Sequence, residues 1–216
     1  MGLRLLEILH GDDIDLRKNG HLMFESAFIT FRAMKILASE RFIDVSRINI
    51  ICDDVGCDNK ITECDKIIDV HVGFDDRYFS MTDEEKVKYL IAILETGLLK
   101  VFEFKGWDKE IARSVIADIP VDARENVWYS KLRCSADCYR TKVKCIHSMY
   151  EAKIIIEVYK GRKLIRESLP FITYPEIFHL TYTMGRLEYN EEKRMFVLYS
   201  SIREKPIATV RVPEVL

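Results

Sequence analysis

Apolar residues recur at helical spacing most clearly after Thr82, where Val87, Leu90, Ile91, Leu94, Leu98, Val101 and Phe102 fall on one face. The run opens with Thr82-Asp83-Glu84-Glu85, a capping box in which the threonine hydroxyl takes the Glu85 amide and the Glu85 carboxylate reaches back. Three acids in the first turn also suit the positive end of the helix dipole. Lys105-Gly106 supplies a glycine able to adopt the left-handed cap, so a helix is expected over about 82–105. A shorter helix is expected from Asp108, with Ile111, Val115, Ile116 and Ile119 inward and Pro120 as its stop. Between Glu25 and Glu40, Phe28, Phe31 and Met34, with Phe24 just before them, favour a helix over a strand.

Two short β-branched runs precede the capped helix, Arg47 to Cys52 and Lys66 to Val72, each flanked by Asp, Gly or Asn. After Pro120 the pattern changes. Val127 to Leu132, Tyr139 to His147, Ala152 to Tyr159, Leu164 to Ile172, Ile177 to Tyr189, Met195 to Ser200 and Ile207 to Val212 all read as strands. Lys160-Gly161-Arg162 and Asn190-Glu191-Glu192 read as hairpin turns between them. Alternation is sharpest in Tyr139, Thr141, Val143, Cys145 and His147, as in a strand with one face packed and one wet. The fold class is therefore α+β: an αβ half over 1–120 and a mainly antiparallel β half over 121–216. No Pro- or Gly-rich linker separates them, so one continuous domain, or two tightly packed halves, is expected rather than beads on a string.

Length and composition narrow the class without naming a function. A chain of 216 residues can bury roughly 70% of the surface its unfolded form exposes, so neither disulfide nor metal is needed to hold a core. With 48% apolar and 31% charged residues, wholesale disorder is excluded. The first ten residues lack a basic segment, and Glu7 interrupts an apolar run too short for a signal sequence. Leu6 stands where a myristoylation motif needs Ser or Thr. No apolar stretch is long enough for a membrane span, so the expected location is cytoplasmic and no membrane partner is expected. There the six cysteines are expected to be reduced, and many of them buried.

Charge changes the picture. The chain closes to −2, yet from Ile50 to Glu85 eleven acids oppose three bases, a local −8. From Trp128 to Arg166 ten bases oppose three acids, a local +7. Charge this segregated steers charged partners, unless the two segments lie against each other. Within the acidic segment Asp53 and Asp54 end one expected strand, and Asp75 and Asp76 follow the next. If those strands are neighbours, four carboxylates gather at one sheet edge. They would there meet a basic protein or hold Mg²⁺ or Mn²⁺ for phosphoryl chemistry, although aspartate is also an ordinary loop residue.

Other chemistry has thinner support. Cys134, Cys138, Cys145 and His147 form one possible zinc set and Cys52, Cys57, Cys64 and His71 another, but neither has the paired close spacing of a finger or ribbon. The basic half carries Trp128, Tyr129, Tyr139, Tyr150 and Tyr159, which are ingredients of a stacking surface and equally ordinary strand residues. No G-x-S-x-G, H-E-x-x-H, P-loop or G-x-G-x-x-G occurs, so no catalytic residue is selected and no cofactor is expected. The resulting expectation is a non-enzymatic protein-binding module of inhibitor or immunity type. It would meet a basic protein partner through Asp53, Asp54, Asp75 and Asp76. The alternatives are a metal-dependent phosphoester hydrolase using those aspartates and, ranked below it, a zinc-stabilised nucleic-acid binder centred on Cys134 to His147.

Overall fold

The computed structural model describes residues 3–11, 16–40, 44–54, 60–120, 124–202 and 204–213, with backbone alone at 16–19, 54 and 177–178. The chain divides into two compact units, Met1–Arg124 and Glu125–Leu216. Its class is α+β, with a C-terminal antiparallel half. Among the described residues, no helix is long and apolar enough to cross a membrane.

The first unit contains β1 (Leu5–His10), α1 (Leu16–Leu37), β2 (Arg47–Asp54), β3 (Ile61–Cys64) and β4 (Ile67–Phe74). A 3₁₀ helix (Asp76–Ser80), α2 (Asp83–Lys105) and α3 (Lys109–Ala117) follow. The sheet order is β1-β2-β4-β3, with β1, β2 and β4 parallel and β3 antiparallel at the edge. One face carries Ile8, Ile48, Ile50, Ile68 and Val70, all buried. Here α2 approaches closely: a Cβ on Gly97 would lie 2.7 Å from the Ile50 side chain, so only glycine fits. The opposite face carries a polar row among apolar residues such as Leu5 and Ile51. Arg47 Nη2 donates to Glu7 (2.7 Å), Arg47 Nε to Asn49 (2.7 Å), and Asn49 Nδ2 to Asp69 (2.7 Å), a chain of bonds across three strands.

The capping box is present in full at Thr82 and Glu85, and Gly106 closes α2 with φ +66°. The shorter helix starts at its Asp108 cap, with Ala112, Val115 and Ile119 buried. A polar cluster lies inside this unit. Lys86 Nζ donates to Glu25 (2.8 Å), and the Tyr78 hydroxyl donates to the other Glu25 oxygen (2.6 Å). All three residues are buried, so the cluster ties α1 to the 3₁₀ helix and α2 through mutually satisfied groups.

The second unit contains β5 (Glu125–Tyr129), β6 (Ser135–Ala136), β7 (Tyr139–Ser148), β8 (Ala152–Lys160), β9 (Lys163–Glu167) and β10 (Phe171–Thr173). It continues with α4 (Ile177–Thr183), β11 (Arg186–Asn190), β12 (Met195–Tyr199) and β13 (Pro206–Arg211). A six-stranded sheet runs β10-β8-β7-β5, with β6 beside β7 and β9 beside β8; a three-stranded sheet runs β11-β12-β13. Their core includes Val143, Ile154, Ile156, Phe196, Leu198 and Val210. Alternation in β7 is as the sequence implies: Tyr139, Thr141, Val143, Cys145 and His147 are buried, while Arg140 and Lys142 are exposed.

Several boundaries differ from the sequence expectation. The strand expected over Leu164 to Ile172 is two strands. Ser168 exchanges bonds with Ile156 through its own N–H and hydroxyl (2.9 Å each), and Pro170 has no amide to continue the ladder. The strand expected over Ile177 to Tyr189 begins as α4. Glu176 accepts the His179 amide (2.6 Å), and Leu180 and Thr183, three apart, are buried on one side. Three further strands, β1, β3 and the two-residue β6, carry no alternating signal.

Candidate functional site

Because β2 and β4 are parallel neighbours, paired from Arg47↔Ile67 to Asp54↔Phe74, their carboxyl ends coincide. Asp53 and Asp54 close β2 at that end, and Asp75 and Asp76 follow β4 directly. His10 and Gly11 complete the edge from β1, where the Gly11 amide donates to the Cys52 carbonyl (2.7 Å). The first turn of α2 lies at the same end, since the Tyr89 hydroxyl accepts the Asp75 amide (2.8 Å). Asp83, Glu84 and Glu85 thus join the strand-end aspartates at one end of the unit. Carboxyl ends of parallel strands are where open α/β sheets commonly bind ligands.

The four aspartates do different work there. Asp53 is hydrogen-bonded to His71 Nδ1, and both side chains are less than one-fifth exposed. Gly11 makes room for this pair, because a Cβ at that position would overlap Asp53 Oδ1. Asp75 caps the 3₁₀ helix: it accepts the Arg77 amide (2.9 Å) and Arg77 Nε (2.7 Å). The bonds from the Arg77 side chain and backbone hold the Asp75 carboxyl below its ordinary range. Asp76 is 60% exposed, with His10 Nε2 3.8 Å from its carboxylate. His10 itself is buried, its ring edge-on to Phe74. The Asp54 side chain lies outside the described residues.

The two histidines belong to opposite faces of the sheet, since His10 pairs in register with Cys52 and His71 with Ile51. An Asp-oriented imidazole such as His71 could take a proton from a nucleophile, but the adjacent thiol does not serve. Cys52 is fully buried on the other face, and burial, helped by the Asp53 charge, pushes its thiol far up. Among the described residues, no three His, Cys, Asp or Glu side chains converge as metal ligands.

The cysteine sets are similarly dispersed. Cys52 and His71 lie on opposite faces, Cys64 is exposed, and Cys57 lies outside the described residues. Cys145 and His147 share the buried face of β7, where Cys145 Sγ meets Met184 Sδ at 3.6 Å. His147 Nε2 donates to the Pro175 carbonyl, and burial lowers its pKa to about 4. Cys138 is exposed in a turn. Of the aromatic residues in this half, Tyr139 is buried, while Tyr129 and Tyr150 are exposed.

Sequence reasoning did not connect His10, Gly11 and Tyr89 to the strand-end aspartates. The available signal was Gly11 directly after an apolar strand, a common mark of close backbone approach. No family model, curated protein or solved structure matches the chain.

Proposed function

We propose that this protein is a non-enzymatic protein-binding module, acting in the cytoplasm as an inhibitor or immunity-type protein toward a basic partner. The observation that carries the reading is the register of β2 with β4, which brings Asp53–Asp54 and Asp75–Asp76 to the same end of one sheet. The acidic first turn of α2 extends that edge. Field from such an edge accelerates encounter with a basic surface, and shape then decides which partner stays. The exposed members, Asp76 and Glu84, contribute the steering charge; the solvated pair of Glu84 with Lys88 (2.7 Å) offsets it only in part. Asp53 and Asp75 shape the edge through their internal bonds to His71 and Arg77.

The test is capture from the source lysate on immobilised wild-type protein and on Asp76→Lys/Glu84→Lys, side by side. The expected result is a basic protein retained by the wild type and lost from the variant at moderate salt. Retention of neutral or acidic proteins only, or equal retention by both, contradicts the reading. Manganese retained after desalting, and lost on Asp75→Asn, would instead favour phosphoester hydrolysis.

A further inference from the structure

The second unit holds a cationic pocket that the acidic-edge reading does not use. Arg133, from the loop between β5 and β6, Arg140 and Lys142, from β7, and Arg162, from the β8–β9 turn, line a concavity of about 510 Å³. Tyr159 and the Gly161 backbone complete much of its wall, and among the described residues no acidic side chain lines it. Local structure explains why the four cations meet. Arg140 and Lys142 are two apart on β7 and so share its solvent face. Gly161, at φ +62°, turns β8 into β9 and carries Arg162 back over that face.

Their partners leave the charge intact. Arg140 Nη2 donates to the Gly161 carbonyl (3.0 Å), and Arg133 Nη1 donates to the Ser130 and Leu132 carbonyls. The Lys142 ammonium lies over two aromatic rings, 5.3 Å from the Tyr129 centroid and 5.0 Å from that of Tyr159. Among the described residues none of the four forms an ion pair, whereas Lys144, Lys153 and Arg186 of the same unit all do. Tyr159 donates its hydroxyl to Glu157, and that carboxylate also meets Lys144. Glu157, cross-strand from Lys142, is thereby engaged outside the pocket lining.

Four like charges, three of them held by neutral groups, repel one another, and a multivalent anion relieves that repulsion. Three guanidinium groups present paired N–H donors of the kind that match phosphate oxygens. The volume is in the range of a small-molecule site rather than of a single ion. We propose that this pocket binds phosphate oxyanions, supplied by a free phosphorylated small molecule or by the phosphodiester backbone of a nucleic acid. The proposal rests on the second unit alone and stands or falls separately from the acidic edge.

The test is calorimetric titration of the full chain with inorganic pyrophosphate and with a single-stranded oligonucleotide, at low salt and at about 0.15 M salt. Three variants accompany the wild type: Arg140→Gln/Arg162→Gln, Arg162→Gln alone, and a charge-matched control, Lys193→Gln/Lys205→Gln. Arg162 and both control lysines are exposed, and Arg162 makes no hydrogen bond to a described residue, so its single variant keeps the fold. Saturable binding of either probe is expected, weakened about tenfold or more in the double variant and changed less than about twofold in the control. Tighter pyrophosphate binding identifies a free phosphorylated compound as the source; tighter oligonucleotide binding with a steep salt dependence identifies nucleic acid. No saturable binding of either probe, or equal loss in the pocket and control variants, overturns the proposal.

Discussion

In the first unit, several charges nearest the strand ends are committed to holding the chain together: Asp53 to His71, Asp75 to Arg77, and, deeper in, Glu25 to Lys86 and Tyr78. In the second unit, Arg133, Arg140 and Lys142 around the β7 pocket are held by carbonyls or aromatic rings, and neither they nor Arg162 are paired with an acid among the described residues. Both segments stand out equally in a charge count. Their physical standing differs, because a charge that closes a hydrogen bond inside the fold acts first on stability. A charge held by neutral groups remains available to a ligand. Substitutions in the first unit's internal pairs should therefore register as lost stability, and those around the second unit's pocket as lost binding.

The sharpest way to break this comparison is Lys86→Ala. It leaves the Glu25 carboxylate buried without its ammonium, and the expected loss is about 3–5 kcal/mol in urea unfolding. Glu25→Leu/Lys86→Met, which removes both charges together, is expected to recover most of that loss. A single-variant cost near zero would mean that the cluster does not tie α1 to α2.

The second unit has its own internally committed titratable group. His147 is neutral in the fold, with a pKa lowered to about 4 by burial, against an ordinary 6.5 when unfolded. Between those values the unfolded chain binds the extra proton, so the stability contribution is complete above about pH 6.5 and falls as the pH drops toward 4. The full loss is on the order of 3 kcal/mol. The stability difference between wild type and His147→Gln, followed by urea unfolding across pH 4–7, should shrink or invert toward the acid end. A difference independent of pH would show that this imidazole is not kept neutral by burial.

A smaller effect separates local from tertiary commitment. Thr82→Ala removes the hydroxyl that accepts the Glu85 amide, and about 1 kcal/mol is expected. Glu84→Lys, two residues on, replaces the exposed Glu84–Lys88 pair with repulsion and opposes the helix dipole, so it should lower the unfolding midpoint slightly while altering charge at the edge.

The capped helix was legible in full because its signals are local: box, apolar stripe and closing glycine all lie within one stretch of chain. The strand β1 was not, because it is buried on almost every position and shows no alternation. The β3–β4 hairpin turns through Asp65 and Lys66, both at positive φ, without the glycine that usually marks such a turn. The opening of α4 is rich in β-branched and aromatic residues, so composition argued for a strand where tertiary packing of Leu180 selects a helix. At the candidate site the sequence supplied the four aspartates and the condition for their meeting, that their strands be neighbours. It could not supply the His71 and Arg77 bonds, which depend on registers and turns set by the whole unit. The β7 pocket was visible only as an excess of bases, since unneutralised charge is a property of three-dimensional neighbours.

The most direct measurement for the proposed acidic edge is the association rate of the captured basic protein, by stopped flow at low and at about 0.15 M salt. With wild-type protein the rate should fall steeply as salt rises. With Asp76→Lys/Glu84→Lys the low-salt rate should drop about tenfold or more, and its salt dependence should flatten, while the protein stays folded with only a small fall in its unfolding midpoint. Identical rates and identical salt dependence in the two proteins would contradict the assignment of the acidic edge as the binding surface.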